Sequence, residues 1–162
     1  MKYCVLPSYV WTYPDIHSYA EGKVSADLIS LRDGYATFQV HLFDVSDDSL
    51  SVMLDGFEAE LYREMAIGVE SCPGIENPTE HFPERIAPFS VNDCLIPIND
   101  TAEVKDGTLT LYIAIRIPSY APEKCTGAVV ISGKEESLRI PVTVEVAKVS
   151  PPPEILDIAM GW

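Results

Sequence analysis

Thr108-Leu109-Thr110-Leu111-Tyr112-Ile113-Ala114-Ile115-Arg116-Ile117 is the stretch that decides the fold. Leu109, Leu111, Ile113, Ile115 and Ile117 share one face of an extended chain, and Thr108, Thr110, Tyr112, Ala114 and Arg116 share the other. A period of two over ten residues predicts a strand with one face on a core and one in water, as in antiparallel sheets. The run Ser137 to Val149 repeats it, with Leu138, Ile140, Val142, Val144 and Val146 inward and Arg139, Thr143 and Glu145 outward. Phe38, Val40 and Leu42 oppose Thr37, Gln39 and His41 in the same way. Turn residues stand between such runs, at Asp33-Gly34, Asp47-Asp48-Ser49, Asp55-Gly56, Asn99-Asp100, Asp106-Gly107 and Ser132-Gly133-Lys134. Many short strands so punctuated predict an all-β fold, an antiparallel two-sheet β-sandwich that is immunoglobulin-like in architecture.

Two regions read less directly. In residues 57 to 70, Phe57, Leu61 and Met65 have helical spacing, while Phe57, Ala59, Leu61, Met65, Ile67 and Val69 share one face of a strand. The Asp55-Gly56 turn ahead of them favours a hairpin and hence the strand. Residues 72 to 99 carry Pro73, Pro78, Pro83, Pro88 and Pro97 and read as a long ordered loop. At the far end, Pro151-Pro152-Pro153 stops the last strand, because proline has no amide hydrogen to give a sheet. Ile155 to Trp162 then opens a new apolar run. The expected organisation is a sandwich over 1–149, with 150–162 a proline linker and the first strand of a further domain.

With 162 residues, 47% of them apolar, the chain has material for a single core. Eleven basic against 25 acidic side chains give a net charge of −14, which argues against binding nucleic acid or an anionic membrane surface. The sequence has no apolar stretch of the ~20 residues that spans a bilayer. Met1 to Pro7 lacks a secretory apolar core and cleavage site, which leaves an intracellular protein or one whose leader has been removed. Cys4, Cys72, Cys94 and Cys125 form no Cys-x-x-Cys pair and read as buried free thiols.

No constellation points to catalysis. Of the three histidines, His41 alternates onto the polar face of its strand and reads as solvated; His81 lies between Glu80 and Glu84, where Pro83 prevents the helical turn that would align a metal set. No metal or other cofactor is expected. Asp47-Asp48 and Glu58/Glu60 read as turn chemistry and solubility, and Asp44-Asp47-Asp48 lacks the glycine and spacing of a calcium loop. Arg63 falls on the apolar face of its strand, where an unpaired charge is costly, so it is expected to serve structure, either bidentate to a carboxylate or swung outward by a β-bulge. Tyr9, Trp11 and Tyr13 alternate, so an extended chain sets three rings on one side. Such a row suits stacking on sugars, or packing on the sandwich or a neighbouring domain.

The order of these features carries a resemblance: Tyr13-Pro14-Asp15, Ile29-Ser30-Leu31, Phe38-Gln39-Val40, Leu61-Tyr62-Arg63-Glu64-Met65, Phe82-Pro83-Glu84 with Pro88, Arg116-Ile117-Pro118, and Cys125-Thr126-Gly127-Ala128-Val129-Val130. Over residues 1 to 150 the chain resembles the N-terminal β-sandwich domain of glycoside hydrolase family 123 and its uncharacterised relatives, as a divergent member. It has Asp33-Gly34 where that family commonly has Asn-Glu, and Cys125-Thr126-Gly127 where it often has Tyr-x-Gly, keeping Gly127 as a structural glycine. The resemblance implies a non-catalytic module that braces a C-terminal TIM barrel of the same parent chain. The parent would be a hydrolase of N-acetylgalactosaminides working through an Asp-Glu pair on the barrel. The alternative from the residues is an independent carbohydrate-binding module, with glycan as partner and Tyr9, Trp11 and Tyr13 as its row.

Overall fold

The computed structural model describes residues 1–71 and 85–151. Ten strands alternate with turns: Lys2–Pro7 (β1), Ala26–Leu31 (β2), Tyr35–Phe43 (β3), Ser49–Asp55 (β4), Ala59–Val69 (β5), Phe89–Ile98 (β6), Thr101–Glu103 (β7), Leu109–Arg116 (β8), Lys124–Ser132 (β9) and Ser137–Ala147 (β10). They form two five-stranded sheets, β1-β3-β8-β5-β6 and β2-β10-β9-β4-β7. The described residues contain no helix, and the architecture is the expected β-sandwich. One pairing departs from a purely antiparallel plan, since edge strand β2 runs parallel to β10 from Val142↔Ala26 to Ala147↔Leu31.

The inward residues of the alternating runs make the core. Phe38, Val40, Leu42, Leu111, Ile113 and Ile115 of one sheet pack with Val52, Val129, Ile131, Ile140, Val142 and Val144 of the other, and all are buried. Turn chemistry falls where the sequence placed it: Asp33 and Asp106 take positive φ, and Gly56 follows Asp55 at φ 86°. Gly127 lies where β9 passes under that Asp55-Gly56 turn. A Cβ there would stand 2.2 Å from the Asp55 carbonyl oxygen and 2.6 Å from the Phe57 ring, so only glycine fits without displacing backbone.

Three expectations need correcting. Phe89–Ile98, read as part of a proline-rich loop, is strand β6; among the described residues it sits at the edge of its sheet with no ladder to supply on one side, so Pro97 is tolerated. The earlier part of that loop, residues 72–84 with Cys72 and His81, lies outside the described residues. His41, read as solvated, is wholly buried. Of the thiols, Cys4, Cys94 and Cys125 are free, but Cys94 is exposed and the other two are only half-buried. β10 ends at Ala147, and Val149 accepts a hydrogen bond from the Arg32 amide just past it. Of the expected linker and further strand, residues 152–162 lie outside the described residues. No helix among the described residues is long and apolar enough to cross a membrane.

Candidate functional site

His41, Thr110 and Glu64 are cross-strand neighbours on β3, β8 and β5, in one row on the outer face of their sheet. Alternation places them opposite the core, yet this face is not open to water, because the segment after β1 folds back across it. Gln39 pins that segment: its Nε2 donates to the carbonyls of Ser8 and Val10, both at 3.0 Å. Thr37 adds a bond to the Ser8 hydroxyl at 3.0 Å. Thr12 docks further along, with its carbonyl accepting from the Asn92 amide at 2.9 Å.

Asn92 reaches the row because of a bulge. Met65 pairs with Cys94 and Ala66 with Asn92, so Asp93 is the extra residue on β6. A bulge re-aims the side chain beside it. The Asn92 side-chain amide donates to Thr12 Oγ1 and Thr110 Oγ1, each at 3.0 Å. Thr12 in turn donates to Glu64 Oε2 at 3.1 Å. His41 Nε2 faces the Ile16 carbonyl at 2.9 Å and must donate there; in the neutral ring, Nδ1 then accepts from the Thr110 hydroxyl at 2.9 Å. The outcome is one continuous chain of bonds from Glu64 to Ile16, in which a neutral His41 is fully partnered.

Electrostatics agree with that neutrality. Burial pushes the His41 imidazole down to about 4, against a smaller upward pull from the Ile16 carbonyl. Burial also pushes the Glu64 carboxyl up to about 7; the Thr12 hydroxyl opposes this and the Asp93 charge adds to it. At a pH between about 4 and about 7 the acid and the imidazole are thus both held mostly uncharged.

The residues predicted from sequence do not gather into one site. Tyr9 and Trp11 are 79% and 60% exposed and stand on the rim of a depression of about 300 Å³, together with Tyr112, Glu64, Asn92 and Asp93. Tyr13 is not among its lining residues. It lies half-buried, with its ring edge-on to Phe89 at 6.2 Å and the Arg85 guanidinium 4.2 Å above its centre. Arg85 in turn grips both carboxylate oxygens of Asp15, at 2.9 and 3.0 Å. A turn closed by the Val10 amide on the Pro7 carbonyl keeps the segment from being one straight strand.

Arg63 stays on the inner face, 13% exposed, and donates through one nitrogen to Glu103 Oε2 at 2.8 Å. That contact is neither the two-nitrogen fork nor the outward swing. Gly127 lies in the opposite sheet, away from the depression. Sequence reasoning missed Thr12, Glu64 and Asn92. Glu64 follows Arg63 on a period-two strand, which gives its direction, but no local pattern shows that a second segment covers it. Among the described residues no three His, Cys, Asp or Glu side chains stand close enough together to hold a metal ion.

No family model matches this sequence, and no curated protein matches it. Among solved structures, the chain superposes on a family 123 glycoside hydrolase from Clostridium perfringens, described as hydrolysing glycolipid glycans, with a TM-score of 0.61 and 12% identity. The match covers 93% of this chain and 28% of that one, so the chain has a fold that occurs within a family 123 enzyme and spans just over a quarter of its length. A match to the N-terminal domain of PorA covers 92% of this chain and all of the other at 10% identity, with a TM-score of only 0.29.

Proposed function

We propose that this sandwich is a non-catalytic accessory module of a larger glycoside hydrolase-like protein, bracing a C-terminal TIM barrel. The observation that carries the reading is the match of nearly the whole chain to about a quarter of the Clostridium perfringens hydrolase. An apolar strip lends support. Ile29, Leu31 and Val149 are exposed along edge strand β2 and just past the end of β10, the side from which a following domain would extend. Exposed apolar residues in a group are what a docked domain would cover. The parent would act on N-acetylgalactosaminides or related glycans, with its catalytic carboxylates on the barrel.

The test reads the gene past Trp162 and assays both products on a chromogenic N-acetylgalactosaminide. Hydrolysis by the longer protein and none by the 162-residue chain supports the proposal. Hydrolysis by the 162-residue chain, or a stop codon directly after Trp162, overturns it. A second reading, in which the module itself binds sugar, is favoured by one observation: Tyr9 and Trp11 are held in water at the rim of a depression floored with polar groups.

A further inference from the structure

We propose that the depression between Tyr9, Trp11 and Tyr112 is a subsite for a single neutral pyranose ring, one that rejects acidic sugars. This rests on the reading that the module binds sugar, and it names the ring, the residues and the selectivity.

Ser8 and Val10 are tied to Gln39 through their carbonyls, and Thr12 is tied to Asn92 and Glu64. Residues 8, 10 and 12 are tied to the sheet, while the side chains of Tyr9 and Trp11 between them stand in water at 79% and 60% exposure. The two rings are therefore fixed in place by bonds that do not involve them, and little freedom is lost when a ligand stacks there. An exposed tyrosine and tryptophan on a fixed backbone are large, rigid, amphipathic contact surfaces.

The floor beneath supplies the second half of the recognition. Glu64, whose carboxyl burial pushes up to about 7, keeps its proton below that pH and can then both donate and accept a hydrogen bond, and Asp93 and Asn92 stand beside it. A pyranose presents a face of C–H bonds to an aromatic ring and a rim of hydroxyls that donate and accept, which is the pairing this depression offers. A volume of about 300 Å³ lies at the small end of ligand sites, enough for about one ring.

Charge sets the selectivity. Among the described residues no lysine or arginine lines the depression, whereas Glu64 and Asp93 do. A uronic or sialic carboxylate placed there would meet the Asp93 charge and no cation among the described lining residues, in a chain already carrying −14. Neutral hexoses and N-acetylhexosamines meet no such penalty.

The 162-residue chain, labelled with nitrogen-15, is titrated to roughly 20 mM with methyl glycosides of glucose, galactose and N-acetylglucosamine, and with methyl glucuronide and N-acetylneuraminic acid, a range suited to millimolar affinity. The expected result is saturable shifts at residues 8–12, 64 and 92–93 for at least one neutral sugar, with a Kd on the order of 1 mM, and none for the acidic pair. Trp11→Ala should weaken binding at least tenfold with the unfolding midpoint unchanged, and Tyr120→Ala, an 86% exposed residue elsewhere, should leave it as it was. Neutral-sugar binding that survives both Trp11→Ala and Tyr9→Ala overturns the subsite but keeps the sugar-binding reading. Equal or tighter binding of the acidic sugars overturns the selectivity. No binding by any of the five overturns subsite and sugar-binding reading together, and leaves the accessory-module proposal standing on its own test.

Discussion

Strands β3 and β8 have two buried faces that are built in opposite ways. Toward the second sheet, Phe38, Val40, Leu42, Leu111, Ile113 and Ile115 are excluded from water by packing alone. Toward the outside, Gln39, His41 and Thr110 are just as thoroughly excluded, at 4%, 0% and 3% exposure, but by a segment held with hydrogen bonds. The first face is non-directional and tolerates any filling of the right volume; the second depends on each donor meeting its acceptor. Their failure modes should differ accordingly.

The largest effect belongs to the packed face. Phe38→Ala removes a ring that is 1% exposed and should cost about 3–5 kcal/mol of stability, read as a lower urea midpoint. The bonded face comes next. His41→Ala leaves the Ile16 carbonyl without its donor and the Thr110 hydroxyl without its acceptor, and should cost about 2–3 kcal/mol in the same urea series. A loss within about 0.5 kcal/mol, as for a solvated surface residue, would show that the outer face is open after all and collapse the comparison.

A subtler test uses pH, since only the bonded face titrates. The Glu64 carboxyl has a folded value of about 7 against an ordinary 4.5. It holds its proton more tightly in the fold, so the stability it contributes is complete below 4.5 and is lost as pH rises through 7. The His41 imidazole has a folded value of about 4 against an ordinary 6.5, so its contribution is complete above 6.5 and is lost as pH falls through 4. The two slopes oppose one another across the same window and should leave wild-type stability nearly flat from pH 4.5 to 6.5. Glu64→Gln should expose the histidine slope, with stability rising as pH rises, and His41→Gln the glutamate slope, with stability falling. Each change should be on the order of 2 kcal/mol across the window in urea midpoints taken at several pH values. Parallel profiles for all three proteins would mean that neither group is shielded.

This contrast also marks what the sequence could and could not tell. The packed face was legible residue by residue, because period two and apolarity both point to one answer at Leu109 to Ile117. The bonded face was legible in direction only. His41 and Gln39 are polar and alternate outward, and nothing within their strand reveals that residues 8–16, some 25 positions earlier, will lie over them. Asn92 was hidden twice, first in a stretch whose prolines suggested a loop, then behind a bulge that changes which way it faces. Arg63 shows the reverse case: its inward direction was evident from alternation, but its partner, Glu103, comes from β7 of the other sheet. Period reads the local chain; coverage and pairing between distant segments are tertiary facts.

The smallest predicted effect separates the two causes of the Glu64 shift. Burial is the larger and the Asp93 charge the smaller. Asp93→Asn removes the charge while keeping the size of the bulged residue and the cover over Glu64. The midpoint of the Glu64 titration, followed by the carboxyl carbon resonance, should therefore drop by less than about one unit and stay well above the ordinary carboxylate range. Thr12→Val acts on the opposing influence, because it deletes the hydroxyl that donates to the ionised form, and should move the same midpoint upward. If Asp93→Asn alone returned Glu64 to 4.5, the carboxyl would be responding to a neighbour across water rather than to burial. The segment carrying Tyr9 and Trp11 would then be a loose flap over the sheet and not the second packed layer that the comparison of faces requires.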